Sequence, residues 1–246
     1  MENKSPNFIR LRDVNPDDPS SWMGSIILTF DMDWASDEVL HYTLDILEKS
    51  EKPATIFVTH DTSVLSRIRR NASWEIGMHP NFTPPSKSAL ELDNYVDNVL
   101  SEISEIVPEA VSLRSHGVLT AGRWLWKYAS AGIKYLSNTS RFGMSSVPSY
   151  EVNGLIECPV YFGDNAQLVV ERDRRIPPIP LPDLRKVGDS DLRVLVFHPI
   201  HVALNTEIYD RYERSRHAHS DWQQLSEHRN KTNKGAEYWL REVLNL

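Results

Sequence analysis

The chain has 246 residues, 40% of them hydrophobic and 25% charged, with a formal net charge of −7. That acidic balance excludes a nucleic-acid backbone as the main partner, since such binding needs concentrated Lys and Arg, and no uninterrupted apolar run is long enough to span a membrane. A single cysteine, Cys158 in "LIECPVY", reads as a buried strand residue, and the N-terminus lacks the apolar stretch of an export signal, so a cytoplasmic address is expected.

In chain order, the first strand is read over 25–30, where "SIILTF" stops at two carboxylates, Asp31 and Asp33, with Met32 between them. Residues 37–49 place Val39, Leu40, Leu44 and Leu47 at helical spacing, with Ser36 at the N-cap. Further strands are read at 54–58, 74–78, 110–113, 133–137, 155–161 and 193–197, and further helices at 90–107 and 123–131. Strand and helix alternate, which predicts a parallel sheet. About seven such units in one domain over 1–246 point to a closed or nearly closed, distorted α/β barrel. The stretch 172–191, "RDRRIPPIPLPDLRKVGDSD", is too proline-rich for a helix or a central strand and reads as a long loop, a lid or a connection. "RSRHAHSD", with His217 and His219, reads as a surface loop because nothing near it supplies a third metal ligand. There is no internal repeat.

Sites in parallel α/β folds form at the carboxyl ends of strands. Just past those ends stand Asp31 and Asp33, His79 and Asn81, Arg114 and His116, and His198 and His201. Four strand ends thus bring acids, imidazoles and a guanidinium toward one rim, a donor set suited to a metal ion and proton transfer.

Taken in order, "LTFDMDW", "WEIGMHPNF", "LRSHG" and "VLVFHPIH" resemble the motifs of the polysaccharide deacetylases of carbohydrate esterase family 4, the NodB-homology fold. The resemblance covers residues 25–202. It implies a distorted (β/α)7 barrel and a divalent metal, zinc first, with cobalt, nickel or iron also compatible. By the same resemblance Asp31 is the catalytic base, Asp33 and His79 are metal ligands, Arg114 orients the base and His198 is the general acid. The expected substrate is an acetylated saccharide or sugar precursor.

The family's second motif has another His four residues after the first, and here that position is Thr83. Pro80 also biases His79 away from a helical backbone. Since a catalytic zinc site ordinarily has three protein ligands and an open position, the third is sought among His201, His116 and Asn81, ranked in that order. The His-Pro-Asn form is similar to a divergent branch associated with bacterial surface-polysaccharide (O-antigen, lipopolysaccharide) biosynthesis. Trp34 and Phe82 are candidates for stacking on a sugar ring, with core packing an equal reading of Phe82.

The expected function is therefore a metal-dependent amide hydrolase, an N-deacetylase of an acetylated amino sugar. Alternatives within the same scaffold are a catalytically impaired carbohydrate-binding protein, which Thr83 favours, and a hydrolase of a non-sugar C–N bond such as a cyclic amide or ureide. A haloacid-dehalogenase phosphatase also begins with Asp-x-Asp, but it wants Thr or Val soon after the second Asp, where this chain has Trp34 and Ala35. A nucleotide-sugar transferase with an Asp-x-Asp metal site would not call for the histidine clusters.

Overall fold

Strand β2 (Ser25–Asp31) is buried along its whole length, as a parallel strand covered on both faces should be. Its alternate residues serve two different cores in the computed structural model, which describes residues 6–83, 89–144, 148–172, 184–232 and 234–246. Ile26, Leu28 and Phe30 face the surrounding helices, and Ile27 faces the barrel interior with Phe57, Cys158, Leu192 and Val194. The period of two along a strand produces this division.

Parallel pairing links β2 to β3 (Ala54–Val58), then β4 (Trp74–Met78), β5 (Ser112–Leu113), β6 (Tyr135–Leu136) and β8 (Leu155–Glu157). On its other side β2 pairs with β10 (Leu192–Phe197), which pairs with β9 (Val160–Gly163). The antiparallel strand β7 (Tyr150–Val152) flanks β8 at one edge of this curled sheet and β9 lies at the other edge, and β8 and β9 are consecutive in sequence. The segment after β6 stays beside them across the break, through Cys158 N–H to Leu136 O and Val160 N–H to Thr139 O, both 2.8 Å. The sheet therefore returns on itself as a distorted barrel. Sequence spacing predicts one strand over 155–161, and the structure splits it at Pro159, which has no N–H to give to a ladder.

The lower end of the barrel is closed by the N-terminal segment. Strand β1 (Asn7–Ile9) pairs with the start of β2, and Ile9, Leu11, Val14 and Trp22 fill the interior below the strands. Leu11 N–H donates to Thr55 Oγ1 at 3.0 Å and Arg12 N–H to Glu75 Oε2 at 3.1 Å. Burial pushes the Glu75 carboxyl up, against hydrogen bonds from Ser112, Arg12 and Thr55.

Helices α1 (Asp37–Ser50), α3 (Ala89–Ile106) and α4 (Leu125–Ser130) lie where hydrophobic spacing predicts them, and α2 (Leu65–Arg70) is a further short helix between β3 and β4. Ser36 holds the N-cap position of α1, but its hydroxyl makes no capping hydrogen bond. The helices after β10 were not legible as periodic runs, being short: α6 (Pro199–Leu204), α7 (Tyr209–Ser215), α8 (Trp222–Glu227) and α9 (Ala236–Leu244). Leu240, Val243 and Leu244 of α9 nevertheless join the same apolar cluster as Ile26. The lid-or-connection reading of 172–191 falls mainly on residues 173–183, which lie outside the described residues. Among the described residues no helix is long and apolar enough to cross a membrane.

Candidate active site

Asp31 ends β2 at the barrel mouth, and the turn that follows brings the Asp33 carboxylate to the same mouth. The chain then leaves the sheet through two non-glycine residues in the left-handed region, Asp33 (φ 44°) and Trp34 (φ 57°), a conformation that costs ~1–2 kcal/mol per residue. Trp34 N–H donates to Thr59 Oγ1 at 3.1 Å, Ala35 N–H to Met32 O at 2.9 Å, and Met32 is fully buried. These contacts hold the turn and fix the second acid.

Arg114 forms the floor beneath the first acid. Its guanidinium is almost completely buried and lies 4.5 Å from the centre of the Phe57 ring. It donates to Asp31 Oδ1 and Thr29 Oγ1, each at 2.8 Å, and to Ser137 Oγ at 2.8 Å and Ser137 O at 3.2 Å. Gly77 makes room for the Phe57 ring, because a Cβ there would sit 2.6 Å from the ring. The glycine of "WEIGMH" thus acts at one remove, through the shelf under Arg114. With Oδ1 of Asp31 held, Oδ2 faces His79 Nε2 at 3.8 Å and His198 Nε2 at 3.9 Å.

His79 follows β4, and its Nδ1 lies 2.7 Å from Arg114 O. A carbonyl oxygen only accepts, so Nδ1 carries the proton and the Nε2 of a neutral ring is left with a lone pair. That lone pair points at Asp33 Oδ1, 3.1 Å away. His116 Nδ1 approaches the same oxygen at 3.0 Å. The donor atoms of Asp33, His79 and His116 lie within 4.8 Å of one another. Tetrahedral zinc with bonds of ~2.0–2.1 Å sets neighbouring donors roughly 3.3 Å apart. One carboxylate and two imidazoles facing each other at these separations fit a divalent cation. Burial would raise the Asp33 carboxyl, but His116, the facing His79 ring and the charge of His198 outweigh it and hold the group well below the usual carboxylate range. His116 is shifted upward by Asp33, against partial burial.

Pro80 is what brings His116 in. The chain does not turn helical after His79, and Pro80 O accepts the His116 N–H at 2.9 Å. Asn138 Oδ1 anchors the neighbouring Ser115 N–H at 2.8 Å, and Glu157 in turn accepts the Asn138 N–H at 2.9 Å. The other two candidates for the third ligand sit elsewhere. Asn81 Oδ1 accepts Thr83 N–H at 2.9 Å, closing its own loop.

His201, ranked first from sequence, stands apart from the Asp33, His79 and His116 group. Helix α6 starts immediately after β10, with His198 as its N-cap, so three residues later His201 is carried between helices. Its ring packs on Tyr212 of α7 at 4.8 Å between centroids, and its Nδ1 is 3.3 Å from Thr206 Oγ1. Burial pushes this imidazole down to about 4. The folded chain therefore disfavours the proton that the unfolded chain takes up below pH ~6.5, and stability is lost as pH falls from ~6.5 toward 4, by up to ~3 kcal/mol. In urea unfolding compared at pH 7 and pH 4.5, His201→Gln is expected to lose less stability on acidification than the wild type. An equal loss would remove His201 as the cause.

His198 is held by a residue that the sequence reading missed. Asp164, the first residue of α5 (Asp164–Arg172), is fully buried. Its Oδ1 lies 2.6 Å from His198 Nδ1, and its Oδ2 accepts the His198 N–H at 2.8 Å. The ring is thereby fixed with Nε2 toward the mouth, 3.6 Å from Asp33 Oδ2. Burial alone would pull the imidazole down, but Asp164, helped by Asp33 and Asp31, outweighs it and holds His198 up at about 10. The available signal is "YFGD", an acid directly after a strand that sequence spacing ends at residue 161.

Trp34 is half-exposed at the rim, its ring edge-on to His116 at 5.2 Å. Phe82 is core, fully buried and stacked on Tyr128 at 5.8 Å. His217 faces His228 at 5.1 Å, away from this group. The mouth opens into a cavity of about 370 Å³ bounded by the two acids, His79, Arg114, His116 and His198 on one side and by α5 on the other.

Comparison with known proteins gives one family model, described as WbmS-like polysaccharide deacetylase, matching residues 28–216. No curated protein matches. Among solved structures, the chain is similar to WbmS from Bordetella bronchiseptica, assigned as a polysaccharide deacetylase involved in O-antigen biosynthesis. Identity is 30%, 97% of each chain is covered, and the TM-score is 0.84. An assigned polysaccharide deacetylase from Mycobacterium smegmatis is 18% identical over 71% of this chain and 76% of that one, with a TM-score of 0.47.

Proposed function

The chain belongs to the WbmS-like polysaccharide deacetylases, a class of hydrolases acting on carbon–nitrogen bonds, and from that premise we propose that it removes the acetyl group from an acetylated amino sugar with the help of a divalent cation. The observation that carries this reading is the facing set of Asp33, His79 and His116 beside an independently held base and acid. O-antigen biosynthesis, in which WbmS is described as involved, is the proposed setting, with a cytoplasmic saccharide precursor as substrate and residues 1–246 working as one domain.

Asp33, His79 and His116 are the residues proposed to hold the cation, zinc first. When bound, such a cation polarises the scissile carbonyl and makes water a better nucleophile. Asp31 takes the proton of the attacking water on Oδ2, the oxygen that Arg114 leaves free. Arg114 keeps the carboxylate oriented and its charge balanced in a buried setting. His198 carries its proton on Nε2 and delivers it to the departing amine, with Asp164 holding the ring. Thr83, in place of a second motif histidine, does not favour a non-catalytic protein, because His116 supplies an imidazole to the same carboxylate.

Acetate release from an N-acetylated amino sugar, measured with metal content by plasma mass spectrometry, tests the reading; a protein that holds no stoichiometric divalent metal and releases no acetate would refute it. The pH profile adds a second check. Activity should need His198 protonated and persist to high pH because Asp164 raises that imidazole. Asp164→Asn should bring the alkaline fall down toward the ordinary histidine range near ~6.5. An unmoved alkaline limb would separate His198 from proton donation.

A further inference from the structure

The third donor of the proposed metal group stands on a short and strained piece of chain. β5 has two residues. Arg114 is still tied to the sheet, its N–H donating to Met78 O at 3.0 Å, but beyond Ser115 the chain makes a single 3-10 turn, His116–Val118. In that turn Gly117 has φ 63° and Val118 φ 50°. A β-branched residue in the left-handed region is an outlier, and such a conformation persists only where its surroundings impose it. Packing does not impose it, because no residue of the turn is buried.

Two anchors on other strand ends do. One is Pro80 O, which accepts the His116 N–H at 2.9 Å. The other is Asn138, just after β6, whose Oδ1 accepts both the N–H and the hydroxyl of the fully buried Ser115, at 2.8 and 3.1 Å. Asn138 Nδ2 is buried without a hydrogen-bond partner among the described residues, so the bonds to Ser115 are what orient this amide. The backbone of Asn138 is fixed in turn by Glu157, the last residue of β8, which is 3% exposed. One carboxylate oxygen, Oε1, accepts Asn138 N–H at 2.9 Å and Thr139 N–H at 3.0 Å. Burial pushes the Glu157 carboxyl up to about 7, against those two amides and the charge of Arg114. A carboxylate is a costly group to bury for two peptide N–H groups, and this one stands behind the strand end that anchors the His116 turn.

We propose that Glu157 is a positioning residue for His116: through Asn138 and Ser115 it fixes the backbone from which the third imidazole reaches Asp33, so that cation affinity depends on a carboxylate outside the ligand group. This rests on the metal-dependent reading above and adds what holds its third ligand in place.

The test is the zinc affinity of the full chain, measured by competition with a chromogenic chelator. Glu157→Leu removes the acceptor and should weaken zinc binding about 10–100-fold, the range typical of partners that orient a metal ligand. Glu157→Gln keeps an oxygen for both amides and should stay within about threefold of the wild type. Asn138→Ala cuts the same connection one step nearer His116 and should reproduce the loss; it carries the test if Glu157→Leu does not fold. A double-mutant cycle separates positioning from general loosening of the barrel. The residual zinc affinity of His116→Ala, read against a weaker competitor, should not fall further when Glu157→Leu or Asn138→Ala is added, because the ligand they position is gone. Wild-type affinity in Glu157→Leu or Asn138→Ala, a Glu157→Gln protein as weak as Glu157→Leu, or an undiminished loss in the His116→Ala background would overturn the positioning role and leave the hydrolase reading standing. A wild-type chain that binds neither zinc nor cobalt would overturn both.

Discussion

His116→Ala and Asp33→Ala are each expected to strip the divalent cation and to lower acetate release by ~10³-fold or more, the loss of several kcal/mol of transition-state stabilisation that such a cation supplies. The reason is geometric: both imidazoles converge on Asp33 Oδ1, at 3.0 and 3.1 Å, so removing the shared carboxylate or either nitrogen leaves two protein donors. His201→Ala is the contrasting variant. Its ring lies among Tyr212, Thr206 and His198, so metal content should stay near that of the wild type while stability falls, as for other truncations of fully packed side chains. Metal-to-protein ratios on the three purified variants decide the matter. Full occupancy in His116→Ala together with loss in His201→Ala would reverse the assignment.

Asp31→Asn should keep the cation and still lose ~10²–10⁴ in kcat, because it removes a proton acceptor and leaves the ligand group in place. Asp31 is tied to Arg114 at 2.8 Å, whereas its free oxygen is 3.8 Å from His79; it borders the ligand group and belongs to a different hydrogen-bonded set. Arg114→Gln should act through a second route, since it leaves Asp31 without its cationic partner inside the barrel, at a cost of ~3–5 kcal/mol in stability. Turnover and chemical unfolding on both variants separate the effects. An Asp31→Asn enzyme with wild-type kcat would exclude Asp31 as base, and an Arg114→Gln protein of undiminished stability would show the pair to be dispensable to the fold.

The sequence by itself determined the scaffold and most of the chemistry. The strands at 54–58 and 74–78 are legible in the sequence with their observed ends, because an apolar run bounded by turn residues needs no long-range information. Asp31, Asp33, His79, Arg114 and His198 were all placed at strand ends, and the structure brings all five to one mouth. Family resemblance added proposed roles, which spacing alone does not supply.

Only the tertiary structure decided which imidazole completes the group around Asp33. His116 and His201 are equivalent in sequence, each two or three residues beyond a barrel strand or its first polar residue, and differ in what the backbone does next. After β5 the chain makes only a short 3-10 turn at His116–Val118, and Pro80 O captures the His116 amide from a neighbouring strand end. After β10 it turns at once into α6 and swings His201 away. The Asp164–His198 pair, 34 residues apart, depends in the same way on a barrel closing across Pro159. Local propensity reports what a segment prefers. A contact between distant segments is fixed by register and by the direction each chain takes on leaving the sheet, and those are settled only when the whole core packs.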